Sequence, residues 1–477
     1  MSEIIMLEAV DLARAVRERR VSCLEVMDAY LAQIEQWNPQ VNAIVSRVDP
    51  ETLRSAARDR DAQLARGEHL GWLHGFPHAV KDVSDVAGMV TTHGTTLHRD
   101  NVASADSRFV RRLRSAGAVF IGKTNVPEMA AGSQTYNPVF GTTCNPYDIT
   151  KTTGGSSGGA AAAIAMRMVP VADGSDFAGS LRNPAAWNNL YSLRPSLGRV
   201  PGDGEAFVST FSVNGPMGRT ARDVAMLLSV MAGPDPRFPL SIDQDPAGFA
   251  GSLERDMRGA RVGWVGDFGG YLATEPGVLE LCESSFAAFE SIGCTVEPVE
   301  MPMPPDRIWS AFLTLRHWMI QAGAQQFLAV PGGEAALKPE VQWEVDGALT
   351  LSALDVYQAS VVRTEWYHAV QDMLETYDFL LAPSAQVFPF DATVSWPGEI
   401  AGRRMDTYHR WMEVVIPWTL TGLPVANFPV GFSAAGLPMG VQVIGRKHAD
   451  LELLQLGYAY EQATPWTSHL PPLLTSA

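Results

Sequence analysis

The sequence predicts an α/β fold, with a large mixed, mostly parallel central β-sheet covered by helices on both faces. Short apolar runs alternate with longer segments of helical periodicity along most of the 477 residues, and this alternation is typical of strands joined by crossover helices. The composition, 46% hydrophobic and 18% charged, is that of a globular protein. We predict one domain spanning 1–477, because no linker clearly divides the chain.

The elements follow from local patterns. The N-terminal segment 7–66 is predicted to be helical, because apolar residues recur there at helical spacing between charged ones. Apolar runs bounded by Gly, Pro or polar residues are predicted strands, and alanine-rich or periodic segments are predicted helices. Strands are expected at 76–82, 118–121, 169–172, 262–265, 294–299, 378–382 and 425–430. Helices are expected at 107–116, 160–166 and 276–291, and a largely helical insertion at about 302–374.

Charge and cysteine usage exclude several classes of protein. The chain has 36 Lys and Arg against 52 Asp and Glu, a net charge of −16, which argues against nucleic acid as the main partner. Its four cysteines have no C-x-x-C spacing, so neither a disulfide framework nor a zinc site is expected. No apolar run is long enough to span a membrane, and no leader is apparent. We expect a cytoplasmic protein without a membrane partner.

Two glycine- and serine-rich segments are candidates for a functional site. The first, 152–159, reads Thr-Thr-Gly-Gly-Ser-Ser-Gly-Gly and opens into an alanine-rich helix. Taken alone it is equally a flexible loop, but its N–H groups lie near a positive helix terminus. The second, 173–182, reads Asp-Gly-Ser-Asp-Phe-Ala-Gly-Ser-Leu-Arg. Its successive N–H groups can form an oxyanion-binding nest beside Ser180.

A serine nucleophile needs a base. None of the ten histidines lies in a nucleophile-elbow context, and no G-x-S-x-G is present. Lys81, at the end of the apolar segment 76–82, is the natural candidate, because burial lowers the pKa of a lysine. The alternative is an ordinary ion pair between Lys81 and Asp82.

Together these segments resemble the amidase signature family. The family carries G-G-S-S-G-G, about two dozen residues later G-[ST]-D-x-G-G-S-x-R, and an upstream P-x-x-x-K-D. Here Ser180 follows Ser156 by 24 residues, and Pro77 precedes Lys81-Asp82. Further family-like segments lie at 42–44, 122–125, 140–146, 194–200, 215–220 and 436–442.

The resemblance implies a role for each matching residue. Ser180 is expected to be the nucleophile, Ser156 a bridging serine held by a cis peptide from Gly155, and Lys81 the general base. The implied oxyanion hole consists of the backbone amides of Phe177, Ala178, Gly179 and Ser180. Ser157 is expected to orient Lys81, and Asp176 and Arg182 to form a structural pair. Ala130 and Gly132 are expected to form part of the acyl-pocket wall.

The implied chemistry is amide hydrolysis through an acyl-enzyme, without a metal or organic cofactor. The expected partner is a small-molecule amide, an aryl or hydrophobic one if nearby aromatics face the site, with carbamates and esters also open. The alternative is the amidase component of a tRNA-dependent amidotransferase. The family suggests a homodimer, which the sequence itself does not show. One departure stands in the oxyanion loop, where Ala178 replaces the usual glycine and either strains the loop or narrows the pocket.

Some features have a bland and a functional interpretation. Residues 117–124 match G-x-x-x-x-G-K-[ST], but the intervening Ala-Val-Phe-Ile reads as a buried strand rather than as a phosphate loop. The aromatics of 309–318 and Trp187 are core residues or substrate contacts; we include Trp187 among the substrate-binding candidates. The insertion at 302–374 is expected to help form the substrate pocket. His78 is expected to serve packing.

Overall fold

The computed structural model describes residues 2–203 and 210–475. The α-helices are α1 Glu3–Met6, α2 Ala9–Arg17, α3 Cys23–Val41, α4 Pro50–Ala65, α5 Arg108–Ser115, α6 Gly158–Ala165, α7 Arg182–Ala186, α8 Ala221–Met231, α9 Val278–Ser284, α10 Phe286–Ser291, α11 Pro305–Leu328, α12 Gly333–Ala336, α13 Pro339–Leu349, α14 Ala353–Thr376, α15 Ile416–Thr421, α16 Asp450–Gln462 and α17 Pro472–Thr475.

The strands are β1 Ile44–Val45, β2 Pro77–Lys81, β3 Val119–Thr124, β4 Tyr136–Asn137, β5 Gly141–Thr142, β6 Cys144–Asn145, β7 Asp148–Thr152, β8 Ala172–Asp176, β9 Tyr191–Arg194, β10 Val213–Gly218, β11 Arg261–Trp264, β12 Thr295–Pro298, β13 Phe379–Pro383, β14 Glu399–Ile400, β15 Arg403–Arg404, β16 Val425–Phe432 and β17 Pro438–Ile444. Eight of them form the main sheet, in the order β12-β11-β13-β17-β16-β9-β10-β8.

The main sheet is mixed, as predicted, but the expectation that it is mostly parallel is wrong. Within the described chain, β11 pairs in parallel with β12 and β13, and the other neighbouring pairs are antiparallel. The reason lies in the connections. Helices α9 to α14 supply the long crossovers that parallel strands need. In contrast, β16 and β17 are joined by a tight turn in which the Ser433 N–H donates to the Leu437 carbonyl at 2.8 Å.

Helices cover both faces of this sheet, as predicted. Neighbouring residues of a strand point to opposite faces, so Asn427 and Phe428 of β16 report on the two sides. The Asn427 amide donates to the Leu190 carbonyl, just after α7. The Phe428 ring packs on Phe289 of α10 and Tyr460 of α16.

A second, three-stranded sheet carries Lys81. Its order is β1-β3-β2, with β2 parallel to β3 and Lys81 opposite Thr124. Every residue of β2 and β3 is buried. The P-loop-like segment 117–124 is therefore the strand that the apolar residues between its glycines predict.

The helical segments agree with the predictions except at one break. The expected helix over 7–37 is divided into α2 and α3, because Arg19 adopts a left-handed φ of 58°. Ser22 then begins α3 with a capping box that includes Glu25. The predicted insertion at 302–374 corresponds to α11 to α14. Among the described residues, no helix is long and apolar enough to cross a bilayer.

Candidate active site

Lys81 lies at the C-terminal end of β2, fully buried. Its Nζ donates to three hydroxyls: Ser156 Oγ at 2.8 Å, Ser157 Oγ at 2.9 Å and Ser175 Oγ at 2.9 Å. The Ser175 carbonyl lies at 3.4 Å. The lysine is thus held by neutral oxygens, and the ion pair with Asp82 that the sequence left open is not formed among the described residues.

The surroundings favour the neutral form of this lysine. Burial lowers the pKa of Lys81 to about 7, although the carboxylates of Asp176 and Asp173 act in the opposite direction. Asp173 accepts the Lys81 backbone N–H at 3.2 Å and lies 2.9 Å from His78 Nε2. His78 is therefore engaged in positioning Asp173, in keeping with its expected packing role.

Ser175 is a member of this cluster that sequence reasoning missed. It lies on β8 two residues beyond Asp173, and alternate residues of a strand share one face. Asp173 contacts the Lys81 backbone and Ser175 contacts the Lys81 ammonium. The alternation along 172–176 was the available signal, because it places both side chains beside whichever strand β8 faces.

The segment 152–159 forms a close-packed turn before α6. The Gly155–Ser156 peptide bond is cis, as the family resemblance implied. A side chain at Gly158 would collide with Thr135, and one at Gly159 with the Asn125 backbone, so both glycines are required for the approach. The Ser157 N–H donates to the Ser180 carbonyl at 3.2 Å, which fixes this turn against the second motif.

The second motif is held from below by Asp176. Its carboxylate accepts hydrogen bonds from the Gly179 N–H at 2.7 Å and the Leu181 N–H at 3.2 Å. Arg182 adds two bonds of 3.0 Å, and Arg194 lies 3.5 Å away. Burial alone would raise the pKa of Asp176, but Arg182 and Arg194 hold it well below its ordinary value. The predicted Asp176–Arg182 pair is thus part of a larger buried network.

The oxyanion loop is more selective than predicted. The Gly179 N–H is directed at Asp176, whereas the N–H groups of Phe177, Ala178 and Ser180 donate to no residue in the hydrogen bonds of the described chain. Gly179 has a φ of 98°, and a Cβ there would lie 2.5 Å from Asn183 Oδ1. Ala178 is outside the left-handed region and buried in the core. Its methyl group therefore neither strains the loop nor lines the cavity.

A cavity of about 270 Å³ opens over these residues. Ser156, Ser175, Phe177 and Ser180 form its floor, and Ser180 keeps 8% of its surface exposed. No hydrogen bond joins Ser180 Oγ to Ser156 Oγ in the described chain, which is common in unliganded sites. The remaining wall is mainly apolar and comes from 129–131, α11 and α13; its residues include Met129, Ala130, Ala131, Met319, Ile320, Ala324, Phe327 and Val341.

The comparison with known families decides the relationship. The family model for amidases matches residues 25–454. The chain belongs to the amidase signature family. It is 32% identical to an acylamidase of Rhodococcus erythropolis, over 98% of this chain and 97% of the relative. It is 34% identical to the catalytic-type component of the glutamyl-tRNA(Gln) amidotransferase from a Roseiflexus species, over 97% of each.

Among solved structures, this amidase is similar to a bacterial aryl acylamidase of the same family. The TM-score is 0.91 at 28% identity, covering 98% of each chain. The eight-stranded mixed sheet and its helices are thus the family's α/β fold, and the protein is an amide-hydrolysing enzyme.

Not every predicted pocket residue of the amidase lies at the cavity. Ala130 lines it, but Gly132 does not, and faces Tyr408 and Lys338 instead. Trp187 is fully buried, stacked on Trp411 with ring centres 5.5 Å apart. Its expected contact with substrate is therefore replaced by a core role, because the ring points to the far side of α7.

The pocket wall on α11 differs from the aromatic one considered above. Trp309 and Phe312 are buried in the core, and the aliphatic second half of the helix faces the cavity instead. Sequence reasoning also missed Arg316, a buried arginine of α11 that lines the cavity. Among the described residues, no group of three or more His, Cys, Asp and Glu is arranged to hold a metal ion.

Proposed function

We propose that this enzyme hydrolyses small aryl or hydrophobic amides with Ser180 as nucleophile, Ser156 as proton carrier and Lys81 as general base. The observation that carries the proposal is the buried Lys81 amine, 2.8 Å from Ser156 Oγ, beneath a cavity that also contains Ser180. A lysine whose pKa burial lowers to about 7 is substantially neutral at physiological pH, as a base must be.

The proposed reaction has two steps. Neutral Lys81 takes the proton of Ser156 as Ser156 takes that of Ser180, and Ser180 Oγ attacks the amide carbon. The tetrahedral intermediate collapses when Lys81, through Ser156, returns the proton to the leaving nitrogen, which gives an amine and an ester on Ser180. Water then attacks this ester by the same proton route and releases the acid.

The oxyanion of the intermediate would be stabilised by backbone N–H groups. We assign this role to Phe177, Ala178 and Ser180, whose N–H groups have no partner in the described chain. Gly179, which the family resemblance includes, would serve mainly by its backbone conformation, because its N–H is bound to Asp176. Ser157 would hold the Lys81 amine, and Asp176 with Arg182 would hold the loop.

The cavity supports the assignment of substrate class. An apolar cavity of roughly 150 Å³ accommodates benzene in another protein, so about 270 Å³ suits one ring with its amide group. Its wall of methionine, isoleucine, alanine and phenylalanine favours an apolar group. Carbamates and esters of similar size would fit the same space, and an assay of matched amides, carbamates and esters would rank them.

The amidotransferase relatives support a second candidate, a component that releases ammonia for a partner. Their identity to this chain is close to that of the acylamidase, so identity does not separate the two. The cavity favours the free-standing hydrolase: among its described lining residues there is no Asp or Glu to pair with the ammonium of an amino-acid amide. Efficient turnover of anilides by the purified chain alone would support the hydrolase.

The test of the mechanism uses serine and lysine variants. Ser180→Ala should abolish amide hydrolysis and labelling by a fluorophosphonate probe, and Lys81→Ala should nearly abolish hydrolysis. Ser212→Ala is the matched control, because Ser212 lines the same cavity without a hydrogen bond to Lys81 in the described chain. Wild-type turnover in Ser180→Ala, or labelling at another residue, would refute the proposed nucleophile.

A further inference from the structure

Arg316 is the charged side chain that the catalytic proposal leaves without a role. It lies on α11, is 5% exposed and lines the cavity beside Phe177. The centre of its guanidinium lies 4.9 Å from the centre of the Phe177 ring. Since Phe177 begins the oxyanion loop, Arg316 is positioned at the wall of the reaction site rather than at the surface.

One edge of this guanidinium is fully engaged. Nε donates to Glu344 Oε1 on α13 and lies 3.2 Å from Tyr408 Oη. Nη2 also donates to Tyr408, which in turn donates to Glu344 at 2.6 Å. Glu344 is fully buried, with His317 Nδ1 2.7 Å from its other oxygen. This framework fixes the orientation of the arginine.

The other edge is free. Within the hydrogen bonds of the described chain, Nη1 of Arg316 has no acceptor, and it is not among the enclosed polar atoms that lack a partner. An unpaired nitrogen that is not enclosed, on a buried residue that lines the cavity, faces the cavity. A guanidinium N–H without an acceptor in an apolar pocket is costly unless a ligand supplies one.

We propose that Arg316 Nη1 is a specificity-determining donor that binds a neutral hydrogen-bond acceptor on the substrate, such as a ketone, ether, nitro or second amide oxygen. This inference rests on the proposed function. Neutral acceptors are favoured over carboxylates because the Glu344 carboxylate already compensates the charge of Arg316. A buried anionic substrate group would leave an uncompensated negative charge in the pocket.

The experiment compares anilides with para-acetyl or para-isopropyl groups, which are similar in shape, placed on the leaving-group ring in one series and on the acyl ring in another. The variant is R316M/E344Q, because Arg316→Met alone would leave a buried carboxylate unpaired. The intrinsic difference in reactivity between the two substrates is the same for both proteins, so it cancels in the ratio of their kcat/KM ratios.

We expect the wild-type preference for the acetyl substrate to fall by about tenfold or more in the variant, in at least one series, which corresponds to the loss of one hydrogen bond to a charged donor. The matched control is R410M/E413Q. Arg410 is also buried, paired with Glu413 at 3.1 Å and stacked 4.6 Å from the Trp309 ring centre, but it does not line the cavity. A ratio unchanged in R316M/E344Q would overturn the proposal.

Binding provides the second measurement. In the Ser180→Ala background, Kd values for the same substrate pairs should show the same loss of preference when R316M/E344Q is added. This test applies even if the variant is inactive or if the wild type hydrolyses neither series. In the latter case the proposed function fails, while equal loss or retention of affinity for both substrates still decides whether Arg316 binds the acceptor.

Discussion

Lys81 is the residue whose protonation the fold controls most directly. Because burial lowers its pKa to about 7, it is protonated, and unable to accept a proton, below that pH. We predict that kcat/KM for a non-titrating amide falls tenfold per pH unit below about pH 7 and reaches a plateau above it. A rate profile on such a substrate measures this, and a flat profile between pH 5 and 9 would contradict the role of Lys81.

Ser175 gives a second test at this scale. Its hydroxyl accepts one of the three short hydrogen bonds from Lys81 Nζ, so Ser175→Ala should leave the amine less well oriented. We expect kcat/KM to fall about fivefold to tenfold, the effect of one hydrogen bond. Labelling of Ser180 by a fluorophosphonate should slow in parallel. Ser229→Ala on α8, whose hydroxyl bonds only to the Met226 carbonyl in the described chain, should change neither.

The residues of the site were predictable to different degrees. Ser156, Ser180 and Lys81 are marked by short local motifs, and the structure brings Ser156 into contact with Lys81 and all three to one cavity. Ser175 and Arg316 carry no motif, because their roles depend on which strand or helix lies opposite. Trp187 was misplaced for the same reason: an aromatic near a motif does not reveal which side of its helix faces the site.

At the scale of elements, α11 determines the shape of the pocket. Ile320 faces the cavity, so Ile320→Ala should enlarge it. We predict that kcat/KM for a naphthyl amide rises relative to that for a phenyl amide by about tenfold, within the range that a few methylene groups contribute in a hydrophobic pocket. Ile308→Ala on the same helix is the control, because Ile308 is buried away from the cavity. An equal shift in both variants would argue against α11 as the pocket wall.

The positions of strands and helices were easier to predict than their pairing. Local periodicity and apolar runs indicate an element, whereas strand direction depends on the length and path of the connections. The strands joined through α9 to α14 are parallel, as alternation predicted. The strands from β8 to β17 are antiparallel, because short connections and returns from distant parts of the chain bring them together.

At the scale of the whole molecule, Arg182 connects segments far apart in sequence. Besides Asp176, it donates to the Val415 carbonyl at 2.9 Å, Gln442 at 2.8 Å and Thr419 at 2.8 Å. Arg182→Met would leave the Asp176 carboxylate buried with less compensation, and we expect it to lower the free energy of unfolding by about 3–5 kcal/mol.

Denaturant unfolding of the purified variant measures this loss. Arg258→Met is the control, because Arg258 forms an exposed ion pair with Asp256, and such pairs contribute little. Comparable stability of Arg182→Met and wild type would show that the network holds the loop in place without supporting the fold.

The complete burial of Lys81 has a consequence for the order of events in catalysis. In the described chain, its amine contacts only serine hydroxyls and one carbonyl, so a proton taken from Ser180 has no direct exit to water. That proton stays stored at Lys81 until the departing amine collects it through Ser156. Release of the amine and regeneration of the base are then one event, and the enzyme is ready to activate water at the moment the amine leaves.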